Sequence, residues 1–195
     1  MNLADKLTFS RIVFAPVFFA LYFLPKKLDL PPASSLWIIP ILWLIFIVAE
    51  ITDGLDGMAA RKMGQTSDFG RLFDPFADTL LQLTLFLCFV LDGLFPAALF
   101  LVVIYREFSI LFIRNLMLKK GIAMGARLSG KAKTVLYIAA CAFALAHASL
   151  TRLALFPGLH SATGIAALSV FALSVLASVL SFLDYLSVYR SRKES

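Results

Sequence analysis

Four aspartates stand close together in the first half of the chain, and their spacing is regular. Asp53 and Asp56 are three residues apart, and Asp74 and Asp78 are four residues apart, so each pair shares one face of a helix. A short turn at Gly64 would make the two helices antiparallel neighbours and bring the four carboxylates together. Four like charges at such distances cannot all stay ionised without a cation. Oxygen ligands with no cysteine or histidine nearby favour Mg²⁺ or Mn²⁺ over zinc, so the pattern predicts such a metal centre.

Small residues and one arginine accompany the first aspartate pair. Gly57 and Ala60 lie about one helical turn apart and leave a shallow surface on which a flat group can approach the backbone. Arg61 follows directly and can bind a phosphate through two parallel hydrogen bonds. Together with metal-binding carboxylates, this combination is typical of a site for a diphosphate nucleotide. The small residues alone would be weak support, because they also serve ordinary helix packing.

The helices that hold these residues are predicted to cross a membrane. Of the 195 residues, 61% are hydrophobic and only 15% are charged, and the mean hydropathy is +0.89. The apolar residues come in long runs, which is typical of lipid-facing helices and excludes an ordinary soluble domain. The sequence therefore predicts an all-α membrane protein with a single transmembrane domain over residues 1–195 and a short interfacial helix at about residues 1–10. Six transmembrane helices are predicted, at about residues 11–25, 35–58, 72–92, 94–118, 131–150 and 161–189.

Basic residues are distributed unevenly between the predicted loops. The outer loops contain only Lys26, Lys27 and Arg152, and Arg106 lies inside a span. This bias predicts that both termini and the paired aspartates face the cytoplasm, in the inner (plasma) membrane. The basic surface then faces anionic lipid, so nucleic acid is not needed to explain it. The inner segments contain all other lysines and arginines, namely Lys6, Arg11, Arg61, Lys62, Arg71, Arg114, Lys119, Lys120, Arg127, Lys131, Lys133, Arg190, Arg192 and Lys193.

The aspartate stretch resembles the motif of a known family, the CDP-alcohol phosphotransferases, whose pattern is D-x2-D-G-x2-A-R-x8-G-x3-D-x3-D. A chance match at eight fixed positions has a probability on the order of 10⁻¹⁰ per starting point. The resemblance implies a six-helix transmembrane fold in which Asp53, Asp56 and Asp74 bind the metal. It also implies that Asp78 is the catalytic base and a partial metal ligand. The matching residues are Asp53, Asp56, Gly57, Ala60, Arg61, Gly70, Asp74 and Asp78.

The same resemblance implies a lipid substrate. Gly57, Ala60 and Arg61 would contact the cytidine nucleotide of CDP-diacylglycerol. Similarity is greatest to the bacterial phosphatidylglycerophosphate synthase branch of the family, which implies glycerol 3-phosphate as the acceptor, phosphatidylglycerophosphate and CMP as products, and a homodimer. The residues that carry this likeness are Leu7-Thr8 with Arg11, Arg106-Glu107 with Arg114, and Gly130-Lys131-Ala132-Lys133-Thr134.

A second basic group supports a phosphorylated acceptor on physical grounds. Arg106 lies about midway through a predicted span, where an unpaired cation costs several kcal/mol, so it must face a polar cavity, a carboxylate or a bound anion. Arg114, Lys131 and Lys133 lie toward the same inner side. We therefore predict that these four residues bind the phosphate of the acceptor. Two alternatives stay open: a structural ion pair for Arg106, with Glu107 or Glu50 as partner, and simple membrane anchoring for the two lysines.

Two departures from the pattern of the branch bear on the acceptor. Thr79 stands where lysine is usual, and Glu50 replaces a small residue one turn before the first aspartate. Inositol phosphate or serine is therefore the alternative acceptor. A divalent-cation transporter is a remote alternative, because its acids should lie near the middle of the bilayer, and a transporter has no use for Arg61 beside them.

Overall fold

The computed structural model describes the backbone of residues 3–63, 68–119 and 128–191, and the side chains of residues 8–31, 33–52, 73–117 and 130–187. The described chain is helical throughout and contains no strand, which confirms the predicted all-α class. The described residues form six α-helices, and the connections that follow α1 and α5 each contain a single 3₁₀ turn. The α-helices are α1 (Leu3–Lys27), α2 (Ser35–Met63), α3 (Asp68–Leu91), α4 (Ala97–Lys119), α5 (Leu128–Arg152) and α6 (His160–Ser191), and the 3₁₀ turns are Pro32–Ser34 and Pro157–Leu159.

Five of the described helices are long and apolar enough to cross a membrane; α4 is the exception. At a rise of about 1.5 Å per residue, the 23 residues of α4 match the thickness of the hydrocarbon layer. It departs from the other five because Arg106, Glu107 and Arg114 interrupt its apolar sequence. The five membrane-spanning segments are Thr8–Lys27, Ser35–Thr52, Phe73–Leu91, Gly130–Arg152 and Pro157–Ser187.

The first helix differs from its prediction. Residues 3–10 do not form a separate interfacial helix, because α1 runs without a break from Leu3 to Lys27. No glycine or proline lies near Ser10 and Arg11, where the two elements were expected to part, so nothing in the local sequence ends the helix there. The polar positions of the first turns therefore continue directly into the membrane-spanning part of α1.

The turn after α3 contains the pair Asp92-Gly93, a combination that favours turns. Gly93 has a φ of 81°, a left-handed conformation that glycine adopts without steric penalty. Its backbone N–H donates to the carbonyl oxygen of Val90 at 3.0 Å, and the N–H of Leu94 donates to that of Phe89 at 2.9 Å. These bonds satisfy carbonyl groups that the end of α3 would otherwise leave without partners.

The chain divides into two compact units, of which the first comprises residues Met1–Cys88 and Ala148–His160. In this unit α1 packs against α2. Its core contains the fully buried Phe18, Leu42 and Leu85, one from each of α1, α2 and α3. Arg152, at the end of α5, donates from Nη1 to the backbone oxygen of Tyr22 at 2.9 Å, and its guanidinium lies 3.9 Å from the centre of the Tyr22 ring.

The second unit comprises residues Phe89–His147 and Ser161–Ser195. Its aromatic core includes Phe95 and Phe171, whose rings stack with their centres 4.0 Å apart. In the same unit, α4, α5 and α6 contribute buried polar side chains, among them Arg106, Tyr137 and Ser178. This unit therefore contains a polar interior within otherwise apolar helices.

Candidate active site

Asp74 and Asp78 lie on α3 in the first unit. They are one helical turn apart, so they share a face of the helix as predicted. Both residues are half-buried, and the side chain of Asp78 is 42% exposed. Ala77, one position before Asp78, is completely buried, and so is Leu85, which follows Asp78 by seven residues on the same face, whereas Phe76 on the opposite side is exposed. The face of α3 that bears the aspartates is thus the one that packs against the core. The two carboxylates therefore lie at the border between the packed helices and their surroundings.

Two polar residues of α1 hold these carboxylates. The hydroxyl of Thr8 donates a hydrogen bond to Oδ1 of Asp74. The guanidinium of Arg11 forms an ion pair with Oδ1 of Asp78. Thr8 is 1% exposed and Arg11 is 2% exposed. Neither partnership was predicted: the sequence analysis named Thr8 and Arg11 as residues that carry the family resemblance, and Arg11 also as an inner basic residue, but it gave neither a partner.

The first aspartate pair lies in the last turns of α2. The helix continues to Met63, so Asp53 and Asp56 are in the helical positions that the sequence predicted. Their side chains lie outside the described residues, and so do the turn at residues 64–67 and the side chains of the predicted nucleotide-binding residues. The convergence of four carboxylates therefore stays a prediction. The predicted nucleotide-binding residues are Gly57, Ala60 and Arg61, with Gly70 completing the motif.

The carboxylates that are described fit a hard divalent cation in their chemistry. Asp74 and Asp78 offer only oxygen donors, which is the preference of Mg²⁺ and Mn²⁺. Among the described side chains, no group of three or more histidines, cysteines or acids comes together. A complete ligand set therefore requires the two aspartates of α2 in addition to this pair.

A second polar cluster lies in the interior of the second unit, with Glu107 of α4 at its centre. Oε1 of Glu107 accepts hydrogen bonds from Nη1 of Arg106 at 2.8 Å and from Nζ of Lys133 at 2.9 Å. The hydroxyl of Tyr137 lies 3.0 Å from the same oxygen and 2.8 Å from Oγ of Ser178. Since a hydroxyl has one proton, Tyr137 donates to the carboxylate and accepts from Ser178.

Each of the three guanidinium nitrogens of Arg106 donates a hydrogen bond. Besides the bond to Glu107, Nε donates to the backbone oxygen of Ser178 at 3.1 Å. Nη2 donates to Oγ of Ser181 at 3.2 Å. Arg106 is 7% exposed and Glu107 is 6% exposed, so the pair is a buried one. The sequence left an ion pair of Arg106 with Glu107 or Glu50 open as an alternative to phosphate binding. The geometry favours the ion pair, with Glu107 as the partner.

The charges of this cluster do not cancel. With all three side chains ionised, Arg106 and Lys133 are two cations against one carboxylate, Glu107. Among the described residues, no other acid forms an ion pair with either cation. A buried excess of positive charge is costly in a membrane interior unless an anion neutralises it. The ammonium of Lys133 has three N–H donors and uses one on Glu107, which leaves donors for a ligand.

The other two predicted acceptor-binding residues lie on the same helices. Arg114 follows Glu107 by seven residues, so it lies on the same face of α4, about 10 Å farther along the axis. Lys131 lies in the first turns of α5 and is exposed. Both residues lie outside the buried cluster, nearer the ends of α4 and α5, and add positive charge there.

The sequence analysis missed the residues of α5 and α6 that complete the cluster. Tyr137 lies one helical turn after Lys133, a spacing that could have indicated a shared face. Ser174, Ser178 and Ser181 recur every three or four residues along α6, and all three are buried. A buried polar stripe on an otherwise apolar helix was the signal that could have found them.

The described residues thus define an all-helical membrane protein with paired carboxylates on one helix and a buried basic cluster on others. The comparisons with known proteins define its class further. The model of the CDP-alcohol phosphatidyltransferase family matches residues 1–180, which include the paired aspartates and the cluster around Glu107 except Ser181. The chain belongs to the CDP-alcohol phosphatidyltransferase family.

Three relatives carry names that agree with one another. The chain is 40% identical over 148 residues to the CDP-diacylglycerol–glycerol-3-phosphate 3-phosphatidyltransferase of Treponema pallidum, a match that covers 74% of this chain and 68% of the relative. It is 34% identical to the protein of the same name from Bacillus subtilis, over 80% of this chain and 82% of the relative. It is 31% identical to a probable phosphatidylglycerophosphate synthase of Mycobacterium tuberculosis, over 95% of this chain and 80% of the relative.

Proposed function

We propose that the chain transfers the phosphatidyl group of CDP-diacylglycerol to glycerol 3-phosphate, which yields phosphatidylglycerophosphate and CMP in phospholipid biosynthesis. Family membership supports the phosphatidyl transfer, and the names of the relatives supply the acceptor. The observation in the structure that carries the choice is the net positive charge of the buried cluster around Glu107. A phosphorylated acceptor would neutralise that charge, whereas serine or unphosphorylated glycerol would not.

The aspartate motif is proposed to carry the reaction. Asp53, Asp56 and Asp74 would hold Mg²⁺ or Mn²⁺ together with Asp78. When bound, such a cation neutralises the diphosphate and stabilises the charge on the leaving CMP. Asp78 would take the proton of the acceptor hydroxyl as the new oxygen–phosphorus bond forms on the β-phosphorus. The bond from that phosphorus to the oxygen of CMP breaks in the same displacement.

The nucleotide and the acceptor are proposed to occupy different groups of residues. Gly57, Ala60 and Arg61 would contact the cytidine nucleotide of the lipid substrate. The acceptor phosphate would bind to Lys133 and Arg114 directly, because Lys133 keeps unused donors. The guanidinium of Arg106 is already bonded within the protein, so Arg106 would attract the phosphate through its charge without a direct contact. Lys131, which is exposed, would help to attract the acceptor from solution.

We further propose that the active site faces the cytoplasm from the inner (plasma) membrane, where both water-soluble partners, glycerol 3-phosphate and CMP, are exchanged. The strongly asymmetric distribution of lysine and arginine supports this orientation. The acyl chains of the lipid substrate would remain in the bilayer during the transfer. The homodimer implied by the family resemblance stays a prediction.

An acceptor panel with purified protein tests the proposal. Protein in mixed micelles with CDP-diacylglycerol and either Mg²⁺ or Mn²⁺ is assayed for CMP release with glycerol 3-phosphate, inositol phosphate, serine and glycerol. We expect glycerol 3-phosphate to react at least about tenfold faster than glycerol, since the charge-assisted phosphate contact is lost with glycerol. Chelation should stop the reaction, and either cation should restore it. Faster transfer to inositol phosphate or serine would replace the proposed acceptor, and no CMP release with any acceptor would contradict the enzyme activity.

Two aspartate variants complete that test. Asp78→Asn should retain binding of CDP-diacylglycerol and lose at least about 100-fold in transfer rate, because the group that takes the proton is gone. Asp92→Asn is the matched control, since Asp92 lies in the exposed turn after α3. It should transfer at the rate of the unaltered protein. A loss of lipid binding as large as the loss of rate would make Asp78 chiefly a metal ligand.

A further inference from the structure

The contacts of α1 suggest a role for two residues that the proposed function does not use. Thr8 and Arg11 are three residues apart on α1, and their partners Asp74 and Asp78 are four residues apart on α3. Both spacings are close to one helical turn, so the two contacts lie on successive turns of the same pair of helices. Two contacts on successive turns fix the rotation of α3 about its axis relative to α1. The two carboxylates are then oriented together.

The exposure of the ion pair is strongly unequal. The side chain of Arg11 is 2% exposed and that of Asp78 is 42% exposed. The arginine therefore lies beneath the carboxylate, and the carboxylate lies between it and the open side. A covered guanidinium acts on a substrate through the carboxylate that it holds rather than by touching the substrate. The exposed part of Asp78 remains available for the acceptor hydroxyl.

A buried arginine in a membrane-spanning helix destabilises the fold unless its charge has a partner. A guanidinium that is removed from water without a partner is strongly destabilising, and the ion pair with Asp78 offsets this cost. A side chain with two free torsions, such as aspartate, otherwise samples several orientations. Transfer of a proton requires one of them, with the accepting oxygen in reach of the hydroxyl.

We propose that Arg11 and Thr8 are positioning residues, which hold the carboxylates of Asp78 and Asp74 in the orientation that phosphatidyl transfer requires. This inference depends on the proposed roles of the two aspartates. Arg11 fixes the direction in which Asp78 accepts the proton. Thr8 fixes the orientation in which Asp74 presents its oxygens to a divalent cation.

The main test of Arg11 is kinetic. Arg11→Gln should lower kcat by about 10- to 100-fold, because a small misplacement of a reacting group has effects of that size. The KM for CDP-diacylglycerol should stay within about threefold of the unaltered value, since Arg11 does not touch the substrate. Arg11→Lys, which keeps the charge but loses the planar fork, should recover part of kcat. A rise in KM as large as the fall in kcat would make Arg11 a substrate contact and overturn the inference.

A double variant separates positioning from a general structural role. If Arg11 acts through Asp78, adding Arg11→Gln to Asp78→Asn should lower the remaining rate by less than about threefold. Full multiplication of the two losses would show that Arg11 acts independently of Asp78. If Asp78→Asn is active in the same assay, the proposed role of Asp78 is wrong, whatever the result for Arg11. An active Arg11→Gln beside an inactive Asp78→Asn contradicts only the inference about Arg11.

Arg152→Gln is the matched control for the arginine. Arg152 also bonds to α1, at Tyr22, which lies about 16 Å along the helix from Arg11. Its loss should lower the melting temperature in detergent and leave kcat unchanged. An equal fall in kcat for both arginine variants would assign Arg11 an ordinary packing role. Should Arg11→Gln fail to fold, Arg11→Lys and the Thr8 variants still test the inference.

The test of Thr8 uses metal binding as its measurement. Thr8→Val removes the hydroxyl and keeps the shape, so Mn²⁺ binding, followed by electron paramagnetic resonance without substrate, should weaken by about tenfold. Thr8→Ser, which restores a hydroxyl, should bind Mn²⁺ nearly normally. Thr84→Val is the control, because among the described residues the hydroxyl of Thr84 bonds within its own helix, to the backbone oxygen of Leu80. Unchanged Mn²⁺ affinity in Thr8→Val would contradict the role of Thr8.

Discussion

Nζ of Lys133 lies 2.9 Å from Oε1 of Glu107, which joins two helices of the second unit through a buried ion pair. The same oxygen accepts from Arg106, so one carboxylate holds two cations in place. A single carboxylate therefore balances two positive charges. We expect the loss of Glu107 to lower the stability of the protein, and the loss of Lys133 to weaken binding of the acceptor.

Glu107→Gln should destabilise the protein strongly. The variant leaves two cations buried without a carboxylate, and breaking a buried pair in this way costs about 3–5 kcal/mol. We expect a clear fall in melting temperature, measured in detergent by the fluorescence of a thiol- or tryptophan-based probe. Adding Lys133→Met should recover part of the stability, because it removes one of the unbalanced charges. An unchanged melting temperature for Glu107→Gln would mean that the cluster contributes little to folding.

Lys133→Met should affect the acceptor and spare the lipid substrate. If Lys133 binds the phosphate of glycerol 3-phosphate, its loss should raise the acceptor KM by roughly 10- to 100-fold, which corresponds to about 1.5–3 kcal/mol for a charge-assisted bond. The KM for CDP-diacylglycerol should hardly change. Steady-state kinetics with each substrate varied in turn provides the measurement. Lys27→Met, at the end of α1, is the control and should leave both values unaltered.

Arg106→Ala separates the two interpretations of that residue. The original prediction, that Arg106 binds the acceptor phosphate, requires a raised acceptor KM in a folded protein. The observed bonds to Glu107, Ser178 and Ser181 predict instead a loss of stability larger than that of Lys133→Met, because three buried acceptors lose their donors. Melting temperatures and acceptor KM values of the two variants, compared side by side, distinguish these outcomes.

Asp56→Asn should abolish turnover. The substitution keeps the size of the side chain and removes the charge that a divalent cation needs, so transfer and nucleotide binding should fall together. CMP release and binding of a CDP-containing ligand are the two measurements. Activity within about threefold of the unaltered protein would exclude Asp56 as a metal ligand. Such a ratio corresponds to a change of under about 0.7 kcal/mol in the activation barrier.

Labelling of single cysteines tests the proposed orientation. In a background with Cys88 and Cys141 replaced, both of which are buried, Met124→Cys and His160→Cys should react with an impermeant thiol reagent from opposite sides of the membrane. From the bias of basic residues we predict that position 124 faces the cytoplasm and that position 160 lies outside. Reaction of both cysteines from one side would contradict the six-span topology.

The sequence was informative wherever a feature depends on neighbours along the chain. The six helices follow from long apolar runs, the turn at Gly93 follows from its dipeptide, and the pairing of Asp74 with Asp78 follows from helical periodicity. For Arg106 the sequence predicted binding of the acceptor phosphate, with an ion pair to Glu107 or Glu50 as the alternative; of these two carboxylates, the adjacent Glu107 is the partner observed. In each case the determining interactions are local, which is why sequence patterns could predict them.

Contacts between distant helices could not be predicted in this way. Thr8 and Asp74 are 66 positions apart, and Arg106 and Ser181 are 75 positions apart. Periodicity shows which residues share a face of a helix, but it does not show which face of another helix lies opposite. The hydroxyls of Thr8 and Ser181 are also unremarkable as residue types, since isolated threonines and serines occur in many transmembrane helices.

The composition of α4 has a consequence for how the protein enters the bilayer. On insertion scales, an arginine at the centre of a helix opposes entry by roughly 2.5–3.5 kcal/mol, and Glu107 adds to this. When α4 emerges from the ribosome, Lys133 and the serines of α6 have not yet emerged, so only the adjacent Glu107 is available to Arg106. We therefore expect α4 to integrate poorly on its own and to be retained at the translocon until α5 and α6 follow. Glycosylation mapping of truncated chains, ending after α4 or after α6, would detect this delay.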